Sequence, residues 1–249
     1  DLSMRVEVPF KDAVFGTETS VSYVRKDKCP KCKGTGSVDS EIEKCSTCNG
    51  QGKVRQARQT VFGTFATESV CPTCGGKGST IKNACSNCDG TGRITKSIKT
   101  NIKIPAGAET GLRLKFKGKG DAGIQGGEYG DLYIILNVKE HKHFRRDNGD
   151  IYLDYPISAA LAVLGGETEV PTVNGKVKMK IPKGTQGGKE FRLKSKGGPR
   201  LRGSGVGDQY VRVFIDIPKD ISSEEKKVWE KLLREGEGKN KGFWEKLLE

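Results

Sequence analysis

Eight cysteines carry the most specific chemistry in this sequence. They fall in four C-x-x-C-x-G-x-G repeats, written CPKCKGTG, CSTCNGQG, CPTCGGKG and CSNCDGTG, which begin at residues 29, 45, 71 and 85. Two residues between cysteines allow one tight turn to present both sulfurs to a single ion, and Zn²⁺ prefers four thiolates in a tetrahedron. Because each repeat supplies half of such a site, the sequence predicts two structural zinc sites.

The glycines in the repeats favour metal binding over redox chemistry. A turn after the second cysteine requires a positive φ, and its amides must approach the sulfurs closely, so glycine is expected there. A single C-x-x-C is also typical of a thiol-disulfide oxidoreductase, but four matching copies favour structural sites. Four thiolates leave no open position for a catalytic water, so we predict that the protein is not an enzyme. Spacing alone leaves all three pairings of the four half-sites open.

Comparison of the chain with itself shows where the repeats are placed. The segment AVFGTETSV from residue 13 matches AVLGGETEV from residue 162 at an offset of 149, and KIPAG from residue 103 matches KIPKG from residue 180 at an offset of 77. The difference, 149 − 77 = 72 residues, is additional chain in the first copy between Val21 and Lys103, and all eight cysteines lie there. The cysteine module is therefore predicted to be an insertion in the first of two similar units.

Hydrophobic patterning predicts that both units are β structures. Apolar and polar residues alternate over residues 112–116 and 211–215, which is typical of half-buried strands, and glycine-rich loops separate such runs. A short helix is predicted over residues 157–166, and the sequence from Ser222 to Glu225 has the S-x-x-E form of a capping box at the start of another helix. The predicted fold class is therefore mainly β, with helices confined to short segments.

Residues 221–249 contain a repeated amphipathic motif. The hexad VWEKLL from residue 228 returns as FWEKLL from residue 243, and these two hexads hold both tryptophans of the chain. Apolar residues at i, i+1, i+4 and i+5 form a stripe on one helix face. The stripes suit packing on their own β unit and contact with a second subunit about equally well. The stripe residues are Val228, Trp229, Leu232, Leu233, Phe243, Trp244, Leu247 and Leu248.

Charge and hydropathy limit the expected partners. The net charge is +13 with neutral thiols, but lysines and arginines are scattered among acidic residues, which favours a solvated surface over a nucleic-acid footprint. The sequence has neither a long apolar run nor a signal-peptide pattern. We therefore expect a soluble, cytoplasmic protein that binds no nucleic acid and no membrane. Because a strand pattern begins directly at Asp1, we also expect a fragment of a longer protein.

Several shorter motifs accompany the cysteine repeats. The chain contains YGDLY from residue 129, HKHFRRD from residue 141 and LGG from residue 164. With these motifs and the four repeats, the sequence resembles the type A DnaJ co-chaperones, which are zinc-containing partners of the DnaK-type heat-shock chaperone. The resemblance covers nearly the whole chain, but these residues contain no His-Pro-Asp motif of a J domain and no Gly/Phe region. We therefore expect a C-terminal fragment that does not stimulate the ATPase of the partner chaperone.

The resemblance implies how the chain is divided and how the cysteines pair. It implies two tandem β-sandwich-like domains, of which the first comprises residues 1–27 and 94–143 and the second residues 144–220. A zinc module over residues 28–93 is inserted in the first, and residues 221–249 form a dimerisation tail that makes a homodimer through the stripe residues. Two Zn²⁺ ions are implied, one held by Cys29, Cys32, Cys85 and Cys88, the other by Cys45, Cys48, Cys71 and Cys74.

The resemblance also implies a function. The chain is expected to bind unfolded polypeptide, to prevent its aggregation and to deliver it to the DnaK-type chaperone. In the family, the client lies as an extended segment on the first β unit, and the corresponding groove residues here are Leu2, Val21, Tyr23, Ile98 and Ile134. Packing in the hydrophobic core is the alternative role for each of them. A zinc-dependent nucleic-acid-binding protein and a C-x-x-C oxidoreductase are the alternative functions.

Overall fold

The computed structural model describes residues 1–39, 41–60 and 63–236, in two compact units. The first unit contains Asp1–Lys142 and Gly198–Val206, and the second contains His143–Gly197 and the chain from Gly207 onward. Strands dominate both units, so the predicted mainly-β fold class is confirmed. No helix in the described ranges is long and apolar enough to cross a membrane. The finer division into domains with boundaries at residues 27, 93, 143 and 220 stays a prediction.

The first unit contains a three-stranded sheet and a long two-stranded arm that carries the cysteine module. In the sheet, β1 runs parallel to the central strand β9, and β8 runs antiparallel to it. The arm is formed by β2 and β7, which pair antiparallel along their whole length. The elements are β1 (Leu2–Val8), α1 (Phe10–Phe15), β2 (Thr17–Lys28), β3 (Glu43–Lys44), β4 (Lys53–Thr60), β5 (Gly63–Val70), β6 (Ser79–Thr80), β7 (Arg93–Ile104), β8 (Arg113–Phe116) and β9 (Leu132–Val138).

Alternating residues of these strands form the core of the first unit. Side chains of successive strand residues point to opposite faces, and the apolar residues of β1, β2, β7, β8 and β9 face one common cluster. Its buried members include Val8, Val21, Tyr23, Ile102, Ile104, Leu132, Ile134 and Leu136. On β1 and β8, the residues of opposite parity, such as Arg5 and Lys115, are exposed. The period-two pattern in the sequence therefore corresponds to one buried and one solvated face.

The second unit contains a four-stranded sheet in the order β10-β11-β15-β14 and a separate hairpin of β12 and β13. The central strands β11 and β15 are parallel, and β10 and β14 pair antiparallel at the edges. The elements are β10 (Phe144–Asp147), β11 (Asp150–Ser158), α2 (Ala159–Leu164), β12 (Gly166–Thr172), β13 (Gly175–Ile181), β14 (Glu190–Leu193), β15 (Gln209–Asp216) and α3 (Ser223–Gly236).

The strand registers show how the insertion enters the first unit. In the second unit, the β12–β13 hairpin closes after the pair Thr172–Gly175. The offsets of 149 and 77 place Tyr23 and Ile98 at the equivalent positions, and these two residues are indeed paired in the arm. Residues 24–97 of the first unit therefore replace a two-residue hairpin turn. The arm continues beyond this point to Lys28 and Arg93, where the cysteine module begins.

Both helices predicted at residues 157–166 and after Ser222 form, and the predicted capping box at Ser222 is present. The helix expected over residues 157–166 is α2, and the Ser158 hydroxyl accepts a hydrogen bond from the amide of Leu161 at 3.2 Å. At the start of α3, the amide of Ser222 donates to the Glu225 carboxylate at 2.8 Å, and the amide of Glu225 donates to the Ser222 hydroxyl at 3.2 Å. This reciprocal pair satisfies two amides that a helix start otherwise leaves unpaired.

A glycine-rich loop over residues 118–131 fixes the base of the cysteine module. The amide of Ala122 donates to the carbonyl of Lys26 at 2.7 Å, and the Arg93 guanidinium donates to the carbonyl of Ala122 at 3.1 Å. The Tyr129 hydroxyl donates to the Asp27 carboxylate. Burial raises the pKa of Asp27, but this bond and its other donors outweigh burial and hold the pKa below its usual value. These contacts link both arm strands to the loop.

Candidate metal centres

The structure brings the eight cysteines together in two groups of four buried residues. In each group all four sulfur atoms lie within 4.8 Å of one another. The groups combine the first repeat with the fourth and the second with the third, which are the two ligand sets that the resemblance implies. They consist of Cys29, Cys32, Cys85 and Cys88, and of Cys45, Cys48, Cys71 and Cys74.

The sulfur separations fit a tetrahedral metal ion. Four thiolates at about 2.3 Å from a central Zn²⁺ lie roughly 3.8 Å apart. In the first group, the Cys29 and Cys85 sulfurs are 4.0 Å apart and the Cys32 and Cys88 sulfurs 3.8 Å. In the second group, the corresponding separations are 3.8 Å for Cys45 and Cys71 and 3.7 Å for Cys48 and Cys74. Both groups therefore have the donor atoms and the spacing to hold one metal ion each.

Backbone hydrogen bonds join the two repeats of each group. The amide of Cys29 donates to the carbonyl of Gly92 at 2.9 Å, and the amide of Cys85 donates to the carbonyl of Gly36 at 2.8 Å. The second group repeats this exchange, from Cys45 to Gly78 at 3.0 Å and from Cys71 to Gly52 at 2.9 Å. The first cysteine of each repeat thus bonds to the last glycine of the partner repeat. This pairing, rather than proximity in sequence, defines the two groups.

The last glycine of each repeat also contacts a sulfur. The amides of Gly52, Gly78 and Gly92 donate to the sulfur of the second cysteine of their own repeat at 3.2 Å, and that of Gly36 does so at 3.3 Å. A Cβ at position 92 would lie 2.2 Å from the carbonyl oxygen of Gly34. Because a carbon and an oxygen cannot approach so closely, only glycine fits this position.

We predict that Gly92→Ala disrupts the first metal group. The added Cβ would meet backbone rather than a movable side chain, and the φ of +75° is unfavourable for alanine. We expect a loss of at least about 1–3 kcal/mol in unfolding free energy and faster release of one metal ion to a chelator. Gly75→Asn is the matched control, because position 75 has a φ of +58° and no atom within 4 Å of its Cβ position. Equal metal release from both variants would contradict this role of Gly92.

The sequence interpretation missed two features of the sites. The residue directly after the second cysteine also has a positive φ in every repeat: Lys33, Asn49, Gly75 and Asp89. Asparagine and aspartate tolerate this conformation better than most residues, and their presence here was an available signal. The second feature is the side-chain amide of Asn87, which donates to the Cys29 sulfur at 3.2 Å. Only one repeat has asparagine at this position, so the pattern gave no signal for it.

The surroundings of the thiols give them different acidities. Burial raises the pKa of Cys48 and of Cys88 to about 11. Burial also acts on Cys29, but hydrogen bonds from the Asn87 side chain and from backbone amides outweigh it and lower its pKa to about 6. The backbone amide of Cys48 is the main cause that lowers the pKa of Cys45 to about 7. Each group thus contains a cysteine that is substantially ionised near neutral pH, which is the form that binds metals.

The five predicted groove residues lie around one core cluster of the first unit. Val21 and Tyr23 are each 8% exposed, and Ile134 is fully buried. Leu2 and Ile98 are partly buried and pack against this cluster. Leu2 and Ile98 therefore offer accessible apolar surface, whereas Ile134 packs in the interior. The sequence interpretation did not include Leu114 and Phe116, which are also partly buried against the cluster.

The predicted stripe residues of the tail fall into two sets. Val228, Trp229, Leu232 and Leu233 lie on α3 and are all exposed, with 42% exposure for Trp229 and 66% for Leu233. An exposed apolar stripe of this kind is typical of a surface that another element or molecule covers. The second set, Phe243, Trp244, Leu247 and Leu248, lies outside the described residues.

Comparison with known proteins identifies the family. The family model described as "DnaJ C terminal domain" matches residues 2–218. The chain belongs to this family. Its members among curated proteins include "Chaperone protein DnaJ" of Halalkalibacterium halodurans, which is 44% identical over 94% of this chain and 63% of its own length. The protein of the same name from Pediococcus pentosaceus is 40% identical over 100% of this chain and 68% of its own length.

Membership of the DnaJ C-terminal domain family confirms the resemblance inferred from the repeats. A third relative, "Chaperone protein DnaJ" of Bacillus cytotoxicus, is 44% identical over 96% of this chain and 64% of its own length. The chain therefore spans about two thirds of the length of these curated relatives. All three relatives carry the name of a chaperone.

Proposed function

We propose that this chain holds unfolded polypeptide on the first β unit and keeps it from aggregating. The observation that carries this proposal is the accessible apolar surface of Leu2 and Ile98 over the core cluster, beside strands that have open edges. Among the described residues, β1 pairs only with β9 and β2 only with β7. An extended client can therefore add main-chain hydrogen bonds at a strand edge while its apolar side chains contact the groove.

The five groove residues have different proposed roles in client binding, according to their burial. Leu2 and Ile98 offer contact surface to a client side chain, and Val21 and Tyr23 are nearly buried members of the cluster against which these two pack. Ile134 is fully buried in the same cluster and is expected to support its packing without contacting the client. Burying one client side chain contributes about 1.5–3 kcal/mol before the entropy of binding is counted. One groove is therefore expected to bind weakly and to release its client readily.

We further propose that the two cysteine groups hold Zn²⁺ as a structural ion. Four thiolates complete the coordination of each ion, so zinc supplies charge neutralisation and cross-linking but no catalysis. Closing the module in this way fixes it at the end of the β2–β7 arm. Thiol titration tests this assignment, because structural thiolates react only after a chelator removes the metal. Eight rapidly reactive thiols in the zinc-loaded chain would favour the oxidoreductase alternative.

Two partners complete the proposal. The names of the relatives support a chaperone role, and the family resemblance implies delivery of clients to a DnaK-type chaperone. The exposed stripe of α3 suits a contact with a second copy of the chain. A dimer presents two grooves to one unfolded polypeptide, and two weak contacts on one client give a higher combined affinity than either alone.

We predict that Ile98→Ser weakens client binding about tenfold, because it removes about 1.4 kcal/mol of the free energy of one apolar contact. The measurement is fluorescence anisotropy of a labelled, permanently unfolded protein with the zinc-loaded chain. Val24→Ser is the matched control: Val24 neighbours Tyr23, the partner of Ile98, but faces the opposite side of the arm and is exposed. Equal weakening by both variants, or by neither, would place the groove elsewhere.

A further inference from the structure

The face of the first sheet that points away from its core carries two unpaired arginines. Arg5 of β1 and Arg113 of β8 are both in register with Ile135 of β9, so the three residues form one row across the sheet. Both arginines are exposed. Within the described ranges, neither has a hydrogen-bond or ion-pair partner. We call this row, with Arg5 and Arg113 at its ends, the arginine row.

The acidic side chains near the arginine row already have partners. Lys115 pairs with Asp131 at 2.9 Å and lies over the ring of Tyr133 at 5.7 Å from its centroid. Glu7 pairs with Lys139 at 3.0 Å. Each of these carboxylates is balanced by its own lysine. The two arginines therefore add uncompensated positive charge to this face.

The equivalent row of the second unit has the opposite arrangement of charge. The offsets of 149 and 77 place Asp154, Arg212 and Glu190 at the three positions, and these residues are in register across β11, β15 and β14. Arg212 donates to both oxygens of Asp154, at 2.7 and 3.0 Å, and Arg145 contacts the same carboxylate at 3.3 Å. This position of the fold therefore holds carboxylate–guanidinium pairs within the second unit. In the first unit, arginines stand where the second unit has carboxylates.

We propose that the arginine row binds an acidic peptide segment, with one carboxylate on each arginine and an apolar side chain over Ile135. Neighbouring strands are about 4.8 Å apart, so the Cα atoms of Arg5 and Arg113 are separated by roughly 10 Å. Their long side chains can reach two carboxylates of one short peptide and bind each in bidentate fashion. An isoleucine between the two cations favours a peptide with an apolar residue over a nucleic-acid backbone.

The arginine row is distinct from the proposed client groove. Residues of odd number on β1 face away from the core, whereas Leu2 and the other even-numbered residues of β1 face it. Acidic-peptide binding therefore does not depend on the proposed client function. A client that carries no acidic residues provides a separate readout for the groove.

The test is fluorescence anisotropy of a labelled peptide containing Glu-Leu-Glu with the zinc-loaded chain of 249 residues. We expect binding that strengthens at low ionic strength and an affinity at least about fivefold lower for the double variant Arg5→Gln/Arg113→Gln. The double variant Lys178→Gln/Lys180→Gln is the matched control. It removes the same charge from exposed positions of β13 and is expected to bind as well as the unaltered chain.

A second variant separates the loss of the two arginines from a loss of folding. Arg5→Asp/Ile135→Arg/Arg113→Glu copies the row that the second unit already folds with, and it is expected to remain folded and to lose binding of the Glu-Leu-Glu peptide. Unchanged binding by either variant of the arginine row would overturn the proposal. Equal affinity for a Gln-Leu-Gln peptide would do so as well. Tighter binding of a labelled oligonucleotide to the same row would instead assign this face to nucleic acid.

Discussion

A chain with Cys85→Ser is expected to bind one metal ion instead of two. The serine hydroxyl is a much weaker zinc ligand than a thiolate, and apparent binding energies of structural zinc sites are about 10–16 kcal/mol near neutral pH. Loss of one of four ligands therefore lowers the affinity of the first group by orders of magnitude. The second group shares no ligand with it and is expected to retain its ion. Native mass spectrometry of the Cys85→Ser chain measures its metal content directly.

Thiol mapping in the same variant tests how the repeats pair. With Cys85 replaced, the cysteines that become reactive toward an alkylating reagent are expected to be Cys29, Cys32 and Cys88, because these share its group. Cys71→Ser is the matched control, and it is expected to expose Cys45, Cys48 and Cys74 instead. New reactivity of Cys71 and Cys74 in the Cys85→Ser chain would contradict the nested arrangement and favour pairing of neighbouring repeats.

Deletion of residues 221–249 is expected to convert a dimer to a monomer. The deletion removes α3 with its four exposed stripe residues, together with the second hexad. Burial of a large apolar side chain contributes about 1.5–3 kcal/mol, so an interface built from several of them is lost when the tail is removed. The monomer is also expected to hold unfolded clients less tightly, because only one groove then contacts each client. Analytical ultracentrifugation gives the mass of each species.

A point variant separates the stripe from the rest of the tail. Trp229→Ser/Leu233→Ser alters two residues of the exposed stripe and is expected to weaken the dimer strongly. Lys227→Ser/Lys231→Ser alters the same number of exposed residues on the other face of α3 and is expected to leave the dimer intact. A truncated chain that still sediments as a dimer, or an unaltered chain that is monomeric, would refute this role of the tail.

Much of the first unit could be predicted because insertion and repetition leave direct marks on a sequence. The two offsets located the additional 72 residues. The registers place them directly after the pair Tyr23–Ile98, which corresponds to the last pair of the hairpin in the second unit. The capping box at Ser222 and the stop of α2 at Gly165 were equally predictable, because local hydrogen bonds and φ preferences determine helix ends.

Tertiary contacts explain what the sequence did not reveal. The bond from Asn87 to the Cys29 sulfur and the contact of Tyr129 with Asp27 join residues 58 and 102 positions apart, and no local pattern encodes such a distance. The groove posed a different difficulty. Alternation predicts that Leu2 and Ile134 face the same side of the sheet. It does not predict that Leu2 stays partly accessible while Ile134 is fully buried, because tertiary packing determines this difference. The arginine row also depends on register across three strands that are distant in sequence.

Light scattering of an unfolded protein during its aggregation tests the central claim most directly. The zinc-loaded chain, without ATP and without a partner chaperone, is expected to suppress the aggregation at near-stoichiometric concentration. The Ile98→Ser chain is expected to suppress the aggregation less than the unaltered chain does. The Val24→Ser chain is expected to suppress it to the same extent as the unaltered chain. A folded, zinc-loaded chain that leaves the aggregation unchanged would contradict the proposal that this protein holds unfolded polypeptide.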